Sequence, residues 1–513
     1  MNSHDLLIDG CENWADYPCN ILRPEQLRSI LERYRRRLAD DEKRLFDPTA
    51  EDISLLELDD GDDVYREGNF RHYSQLRRHL LENRKDPKSR FVFIQAAHSR
   101  AQLNCSRDTF AYLCSFHQVD SCFLDFVSSF GSTNEPLDYH MTGFNCHDTL
   151  DVPNERLLDI PKLGRSGREI RVQYLLRSLE RAIGPDNTAT PNIRQMAVYH
   201  TFDLVTGKAF WTNIKANGLV EDRIKEATTE VPALASRAMD SLAGSFAATL
   251  TIHMIHLGWC DEDWREYIND IESKIRNVLT KAQTARIDRQ PKDMKRGFTR
   301  ASSFHASKAS THGLSEKAPA ASPPNRKRKI LNLFRLGNPD ADAAKKAAVL
   351  STHSLTRLLR EARTEDRDQI DRLMVLDIFS FEEVQQLHYF GEFLESFRLV
   401  MDLNDQTLHD IAENYQDLWD RDGFPREIRE NCQKELASFI RRIHRVRRNL
   451  QIRASQVKSL MAWLQEGKAL FNAILQYRNL QIGRILAESS QAQSDKRGGI
   501  PFKRKWRASR CKS

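Results

Sequence analysis

Along residues 86–285 the apolar positions switch between a strand-like period and a helix-like one. Phe91-Val92-Phe93-Ile94 is a short apolar run that fits a buried strand, and 107–119 spaces its apolar residues as a helix does. Residues 139–144 and 171–176 are strand-like. Residues 196–203 and 208–215 alternate around Val205-Thr206-Gly207, which predicts a hairpin. Helices are expected over about 219–230, 236–257 and 264–285, the last with Tyr267, Ile268, Ile271, Ile275, Val278 and Leu279 at helical spacing. Residues 1–85 are charged and helical in tendency.

Beyond residue 366 the pattern is helical almost throughout. One segment is expected over 379–401, a second over 403–419, and a third from about 427 to 488, some 60 residues or about 90 Å. In the third, Phe439, Ile443, Val446, Leu450, Arg453, Val457, Leu460, Leu464, Gly467, Phe471, Ile474, Arg478, Gln481 and Ile485 step by 4 and 3 alternately. Four of these fourteen are not apolar, so the heptad seam is imperfect. A helix with such a seam is unstable alone in water, which predicts packing on the preceding helices, on copies of itself, or both. The fold class expected is therefore a mixed α/β (α+β) N-terminal domain with a long helical stalk, mostly helical overall. The boundaries predicted are a charged helical region at 1–85, an α/β domain at 86–285, a disordered basic linker at 286–365, a helical stalk at 366–490 and a basic disordered tail at 491–513.

Charge sharpens this division. The net charge is +6. Residues 281–340 carry +10 and residues 496–513 carry +8, which leaves −12 for the remainder. Both basic segments are poor in apolar residues, and over 286–350 Ser, Ala, Pro, Lys and Arg dominate, so that segment buries too little surface to order itself. An acidic body with two basic segments is not a compact nucleic-acid-binding domain with a basic face, and no nucleic-acid partner is expected. The N-terminus lacks a secretory signal pattern, and the nine cysteines are read as reduced thiols.

The candidate chemistry is sparse. Residues 241–260 are free of Asp, Glu, Lys and Arg for twenty positions, long enough to span a bilayer, but they carry His253, His256, hydroxyl residues and two glycines. A core helix is the reading, and no membrane span is expected in this chain. Asp59-Asp60-Gly61-Asp62-Asp63 lacks the ligand spacing and distal Glu of a calcium loop and reads as a solvated turn. Cys114, His117 and Cys122, with Cys146-His147, match no zinc spacing and read as core residues. Gly164-Arg165-Ser166-Gly167-Arg168 lacks the Lys-Ser/Thr of a phosphate loop and reads as a turn into the strand at Ile170. Arg441, Arg442, Arg445, Arg447, Arg448 and Arg453 mimic a basic zipper, yet its seam lacks the repeated Leu. Arg326-Lys327-Arg328-Lys329 and the 503–507 cluster resemble nuclear-import signals but read as solvated runs. No catalytic motif is present, so the chain is not expected to be an enzyme, and no catalytic, cofactor or metal residue is assigned.

Several stretches together resemble the CorA-like transporter domain proteins of filamentous fungi: 110–130 (FAYLCSFHQVDSCFLDFVSSF), 139–144 (YHMTGF), 163–180 (LGRSGREIRVQYLLRSLE), 193–212 (IRQMAVYHTFDLVTGKAFWT), 244–253 (GSFAATLTIH), 264–268 and 473–480 (AILQYRNL). The resemblance covers about 90–490. It implies a cytosolic α/β domain, a long stalk helix, a homo-oligomer through the 427–488 helix, a full-length CorA-like paralogue as a further partner, and divalent cations, Mg2+ foremost, as the transported ion. The sequence departs from the family after Gln493, where a basic run stands in place of two transmembrane helices, and the Gly-Met-Asn pore motif is absent. A truncated gene product and a soluble paralogue are the two accounts of this. The function expected is the soluble cytosolic part of a divalent metal ion transporter, in the cytoplasm. The alternative is a cytoplasmic or nuclear scaffold that self-associates through its stalk.

Overall fold

The computed structural model describes residues 2–24, 26–82, 85–134, 137–183, 189–284 and 381–498. The predicted linker and most of the predicted tail lie outside the described residues. The chain divides into two compact units, residues 1–273 with 390–462 and residues 274–389 with 463–513.

The first unit is built on a seven-stranded sheet. Its strands are β1 (Ile53–Leu58), β2 (Arg66–Phe70), β3 (Ser89–Gln95), β4 (Gly143–Asp148), β5 (Glu169–Ile183), β6 (Ala189–Asp203) and β7 (Ala209–Lys215), in the order β2-β1-β3-β7-β6-β5-β4. Only β3 and β7 pair in parallel; the other ladders are antiparallel. The predicted hairpin is present, with Gly207 at φ +72° closing the turn between β6 and β7. That left-handed conformation is one glycine adopts without penalty.

Two expectations fail in this unit. Residues 1–85 are not a separate helical region, because β1 and β2 belong to the sheet. β1 is buried on both faces, so it shows no alternation to mark it as a strand, and β2 is a mostly exposed edge with no apolar pattern. The strand expected at 139–144 begins only at Gly143, since Tyr139 and His140 have positive φ and lie in a 3-10 turn.

Helices cover both sheet faces. Those before the sheet's long hairpin are α1 (Ser3–Glu12), α2 (Arg28–Asp40), α3 (Glu42–Leu45), α4 (Tyr73–Glu82), α5 (Arg107–Phe116) and α6 (Phe123–Val127). α1, α5 and α6 join Val92, Ile94, Leu175, Ala197, Tyr199, Phe210 and Ile214 from one sheet face in a single apolar core. After the sheet come α7 (Leu219–Glu230), α8 (Leu242–Trp259) and α9 (Trp264–Thr284), then α10 (Phe381–Asp420), α11 (Arg426–Asn431) and α12 (Gln433–Gly498). α10 is one helix where two were predicted, as nothing between Met401 and Leu403 breaks it. The helix predicted from 427 is instead interrupted at Cys432, whose thiol bonds the Ala243 carbonyl of α8 at 3.0 Å. At its far end α12 continues to Gly498, into the stretch expected to be unstructured.

α8 is the charge-free stretch of the sequence. It starts on Ser241, whose hydroxyl accepts from the Gly244 N–H at 3.0 Å. It is buried nearly all round because the sheet lies on one side and α10–α12 on the other. Phe246 meets Phe202 of β6, Tyr415 of α10 and Phe424. A helix apolar on every side needs such double cover. No described helix is long and apolar enough to cross a membrane.

The predicted 4-and-3 register of α12 is its buried line: Ile443, Leu450 and Val457 are fully buried in the first unit, and Phe471 and Ile474 in the second. Two of its non-apolar positions have physical reasons. Arg453 reaches the Asp261 carboxylate and carbonyl. Gly467 lies in the second unit against Leu279, where a Cβ would sit 2.3 Å from a leucine methyl. These buried seam positions are covered by packing within each unit. The second unit also holds the Arg276 guanidinium over Trp463 at 5.5 Å and Lys281 against Glu383 at 2.5 Å.

The two glycines of α8 give a direct check on this packing. A Cβ at Gly244 would lie 1.7 Å from the Ala238 carbonyl oxygen, while one at Gly258 meets nothing within 4 Å. Gly244→Ala is expected to cost about 3 kcal/mol or more, and Gly258→Ala to leave stability level or raise it by about 0.5–1 kcal/mol. Urea unfolding of both variants checks this, and equal responses would contradict the close helix entry.

Candidate functional site

Two clusters of titratable side chains lie in the first unit. The first sits where β3 and β7 begin. Asp86, just before β3, takes the Arg165 Nε at 2.6 Å and the Arg90 Nη1 at 3.2 Å, and its carbonyl accepts from Lys208. Arg90, only 2% exposed, also donates from Nε to Glu57, which meets the His79 Nε2 at 2.7 Å. Asp86, Arg90, Arg165 and Lys208 line a cavity of about 50 Å3 with His117, Asp203 and Phe210. A groove of about 740 Å3 beside it shares Leu158, Gly167, Glu169 and Arg171 and extends to Asp120, His147 and Asp151.

The electrostatics are those of closed ion pairs. Burial pushes the Asp86 carboxyl up, but Arg165 and Arg90 outweigh it and hold the group below its ordinary range. Burial acts on Glu57 in the same way, and His79 and Arg90 still bring it down to about 2. His117 is driven well below its ordinary value by burial and then by Arg90 and Arg165. It remains a neutral ring stacked flat on Phe210, with centroids 3.7 Å apart. Asp86 and Glu57 already face cations, while Asp203 accepts from the Ser166 hydroxyl and from the N–H groups of Ser166, Val205 and Thr206, so the cluster ties β1, β3 and the 164–168 turn together.

The second cluster lies under α8. Tyr174 of β5 meets His253 Nδ1 at 3.0 Å and His256 Nδ1 at 3.1 Å, and Tyr415 of α10 meets His253 Nε2 at 2.7 Å. One direction lets every hydroxyl donate. Tyr415 gives its proton to Nε2, the His253 Nδ1–H donates to Tyr174, and Tyr174 donates to His256. His200 of β6 donates from Nδ1 to the Phe210 carbonyl at 3.1 Å and stacks on Trp211 at 3.6 Å. All three histidines are fully buried. Burial drives His200 and His256 down to about 3, and His253 well below its usual value with His200 and His256 adding to the effect. Burial raises both tyrosines. Close by, Lys215 holds Glu180 at 2.6 Å, and the Trp259 indole N–H donates to Glu180 at 2.7 Å.

The structure distributes the residues singled out by sequence. Cys114 is buried in α5, Gln173 donates to the Cys122 sulfur at 2.8 Å, and Cys146 is exposed on edge strand β4. No group of three or more potential metal ligands converges among the described residues. The acidic turn at 59–63 has Gly61 at φ +88°, and Asp59 and Asp62 face Arg66. Gly164 and Gly167 both have φ +73°, so 164–168 is a turn into β5, and Arg168 ties it to the Thr149 and Leu150 carbonyls. Of the arginines on α12, Arg447 pairs with Asp405 at 2.9 Å and Arg453 with Asp261. The chain from Tyr415 to His256 was not legible beforehand. Its members come from β5, α8 and α10, and only His253 and His256 stood out, as polar breaks in an apolar run.

A mixed sheet covered by helices, followed by a helix of 66 residues, defines an α/β domain with a long helical extension. A sequence model of CorA-like transporters matches residues 9–283, which takes in the whole sheet and α7–α8. The chain belongs to the CorA-like transporter family. No curated protein matches it.

Two predictions test the clusters. Arg90→Met leaves Glu57 without its buried cation and Asp86 with one fewer, and is expected to destabilise the fold by about 3–5 kcal/mol. Thermal melting would show this, and a loss under about 1 kcal/mol would mean the pairs add no net stability. The three histidines stay neutral when folded but take up protons near pH 6.5 when unfolded. Their stabilising effect is therefore complete above about pH 6.5 and falls as the pH drops toward 3, by about 1.4 kcal/mol per pH unit for each ring. In His200→Asn the amide still donates to the Phe210 carbonyl. This variant should reduce the slope of stability against pH below 6.5 by about 1.4 kcal/mol per pH unit; an unchanged slope would place the proton uptake elsewhere.

Proposed function

We propose that this chain serves a divalent-cation transport system, Mg2+ foremost, as its cytosolic α/β domain and stalk, and that it works as a homo-oligomer by binding rather than by catalysis. The observation that carries this is the family match over the sheet domain, in a chain that also holds a 66-residue helix of about 100 Å. A long helix suits the transmission of a displacement along the chain. The closed ion pairs around Asp86 and Glu57 suit a structural clamp better than an acid–base centre. The described residues contribute no membrane-crossing helix, so the reading assigns them to the part of such a system that lies outside the bilayer. A full-length CorA-like paralogue is the natural companion for it.

The purified chain should sediment as a homo-oligomer. Millimolar Mg2+ should change its mass or its protease-cleavage pattern relative to EDTA, while the same concentration of Na+ should not. A single mass and an identical cleavage pattern in Mg2+ and EDTA would remove the cation-linked reading.

A further inference from the structure

We propose that the groove beside the first cluster binds a small aliphatic amine, its ammonium against Asp120 and Glu169 and its carbon stem along the groove's apolar wall. This site goes beyond the transport reading above and does not depend on it.

The floor of the groove holds one carboxylate more than its cations balance. Arg171 donates from Nε to Glu169 Oε1 at 2.9 Å, from Nη2 to the same oxygen, and from Nη1 to Asp120 Oδ1. All three of its nitrogens are thereby engaged. Two carboxylates share one guanidinium, so the set keeps a negative charge. Asp120 lines the groove and is only 8% exposed, and its Oδ2 has no hydrogen-bond partner among the described residues. The neighbouring Ser121 hydroxyl cannot serve it, being given to Gln26 at 3.0 Å. A buried carboxylate oxygen without a donor costs the folded state free energy, so a ligand that donates here is bound with gain. Glu169 lines the same groove, and the bonds from Arg171 both fall on its Oε1, which leaves Oε2 open.

The rest of the groove selects the ligand. Its volume of about 740 Å3 lies within the range of small-molecule sites, about 300–1,000 Å3. Ile21, Leu22, Val152, Leu157 and Leu158 give it an apolar wall. A methylene chain gains by lying on such a wall, whereas a hydrated metal ion does not. Mg2+ asks for a near-octahedral set of oxygens, and no group of three or more potential metal ligands converges among the described residues. At the rim Arg23 and Arg156 stand against Asp151 and Glu155 and balance in number. The sign of the site is therefore set by the floor, which repels an anion. An ammonium carries three donors. Two of them meet Asp120 Oδ2 and Glu169 Oε2, and the third is left for water at the mouth.

The test is calorimetric titration of the full chain with straight-chain amines from methylamine to hexylamine, with the matching alcohols as controls. The amines should bind, and affinity should rise about twofold to fourfold with each added methylene. The alcohols should bind roughly tenfold more weakly or worse. Asp120→Asn should lower the affinity for pentylamine about tenfold or more. Leu157→Trp is the second variant, since it touches neither carboxylate and keeps the carbonyl that accepts from Arg23. It fills the groove from its wall and should abolish binding with the melting temperature unchanged. No heat from any amine means that water alone satisfies Asp120 and overturns the site. Amine binding that survives both variants also overturns it. An affinity flat across chain length overturns the place given to the stem. Binding of Mg2+ that is lost in Asp120→Asn, where no amine binds, overturns the ligand class and leaves the transport reading standing. A neutral-flanked lysine peptide that binds more tightly than pentylamine overturns the free amine as the source of the ammonium.

Discussion

The structure depends on covering α8. This helix has no charged residue over its eighteen positions and is buried almost all round. Each large apolar side chain taken fully from water contributes about 1.5–3 kcal/mol, so leaving either side of the helix bare would be costly. The sheet covers one side with Tyr174, His200, Phe202 and Trp211. The other side is covered by residues that follow more than 130 positions later, Tyr415, Phe424, Cys432 and Phe439. Covering α8 is what brings residues 390–462 into the same compact unit as the sheet.

The polar groups inside this layer follow from the same requirement. A histidine in a dry core must be neutral and hydrogen-bonded, and His253 achieves both between Tyr174 and Tyr415. The strand ends solve a different problem. There, cations and carboxylates meet in a partly buried layer, and Arg90, Arg165, Asp86 and Glu57 are arranged so that each charge has an opposite within reach. Removing one member of such a set exposes the others to the full cost of burial. Both clusters hold elements together.

Much of the fold was readable from the chain. The β6–β7 hairpin, β3, α7, α9 and the buried line of α12 follow from period and turn chemistry, and the charge-free run of α8 marked a core helix. β1 escaped because burial on both faces erases alternation, and β2 because an exposed edge has no apolar signal. The break at Cys432 escaped because no glycine or proline stands at that point; it falls where the thiol meets the Ala243 carbonyl of α8. The separate expectations for 379–401 and 403–419 merged because Asp402 is simply an exposed helix position.

Of the candidate sites, the bland readings of Cys114, His117, Cys122 and the 164–168 turn rested on missing spacing, and spacing is a local property that sequence states directly. The chain Tyr415–His253–Tyr174–His256 and the clamp on Asp86 are different in kind. Tyr174 lies 79 residues from His253, Tyr415 lies 162 from it, and Arg165 lies 79 from Asp86, so their meeting is decided by strand register and by which helix covers α8. The sequence by itself determined where helices and strands form, which faces are apolar and how charge divides along the chain, because these depend on neighbours a few residues away. The tertiary structure alone decided which polar side chains meet, because that depends on the register and order of elements joined only through the buried core.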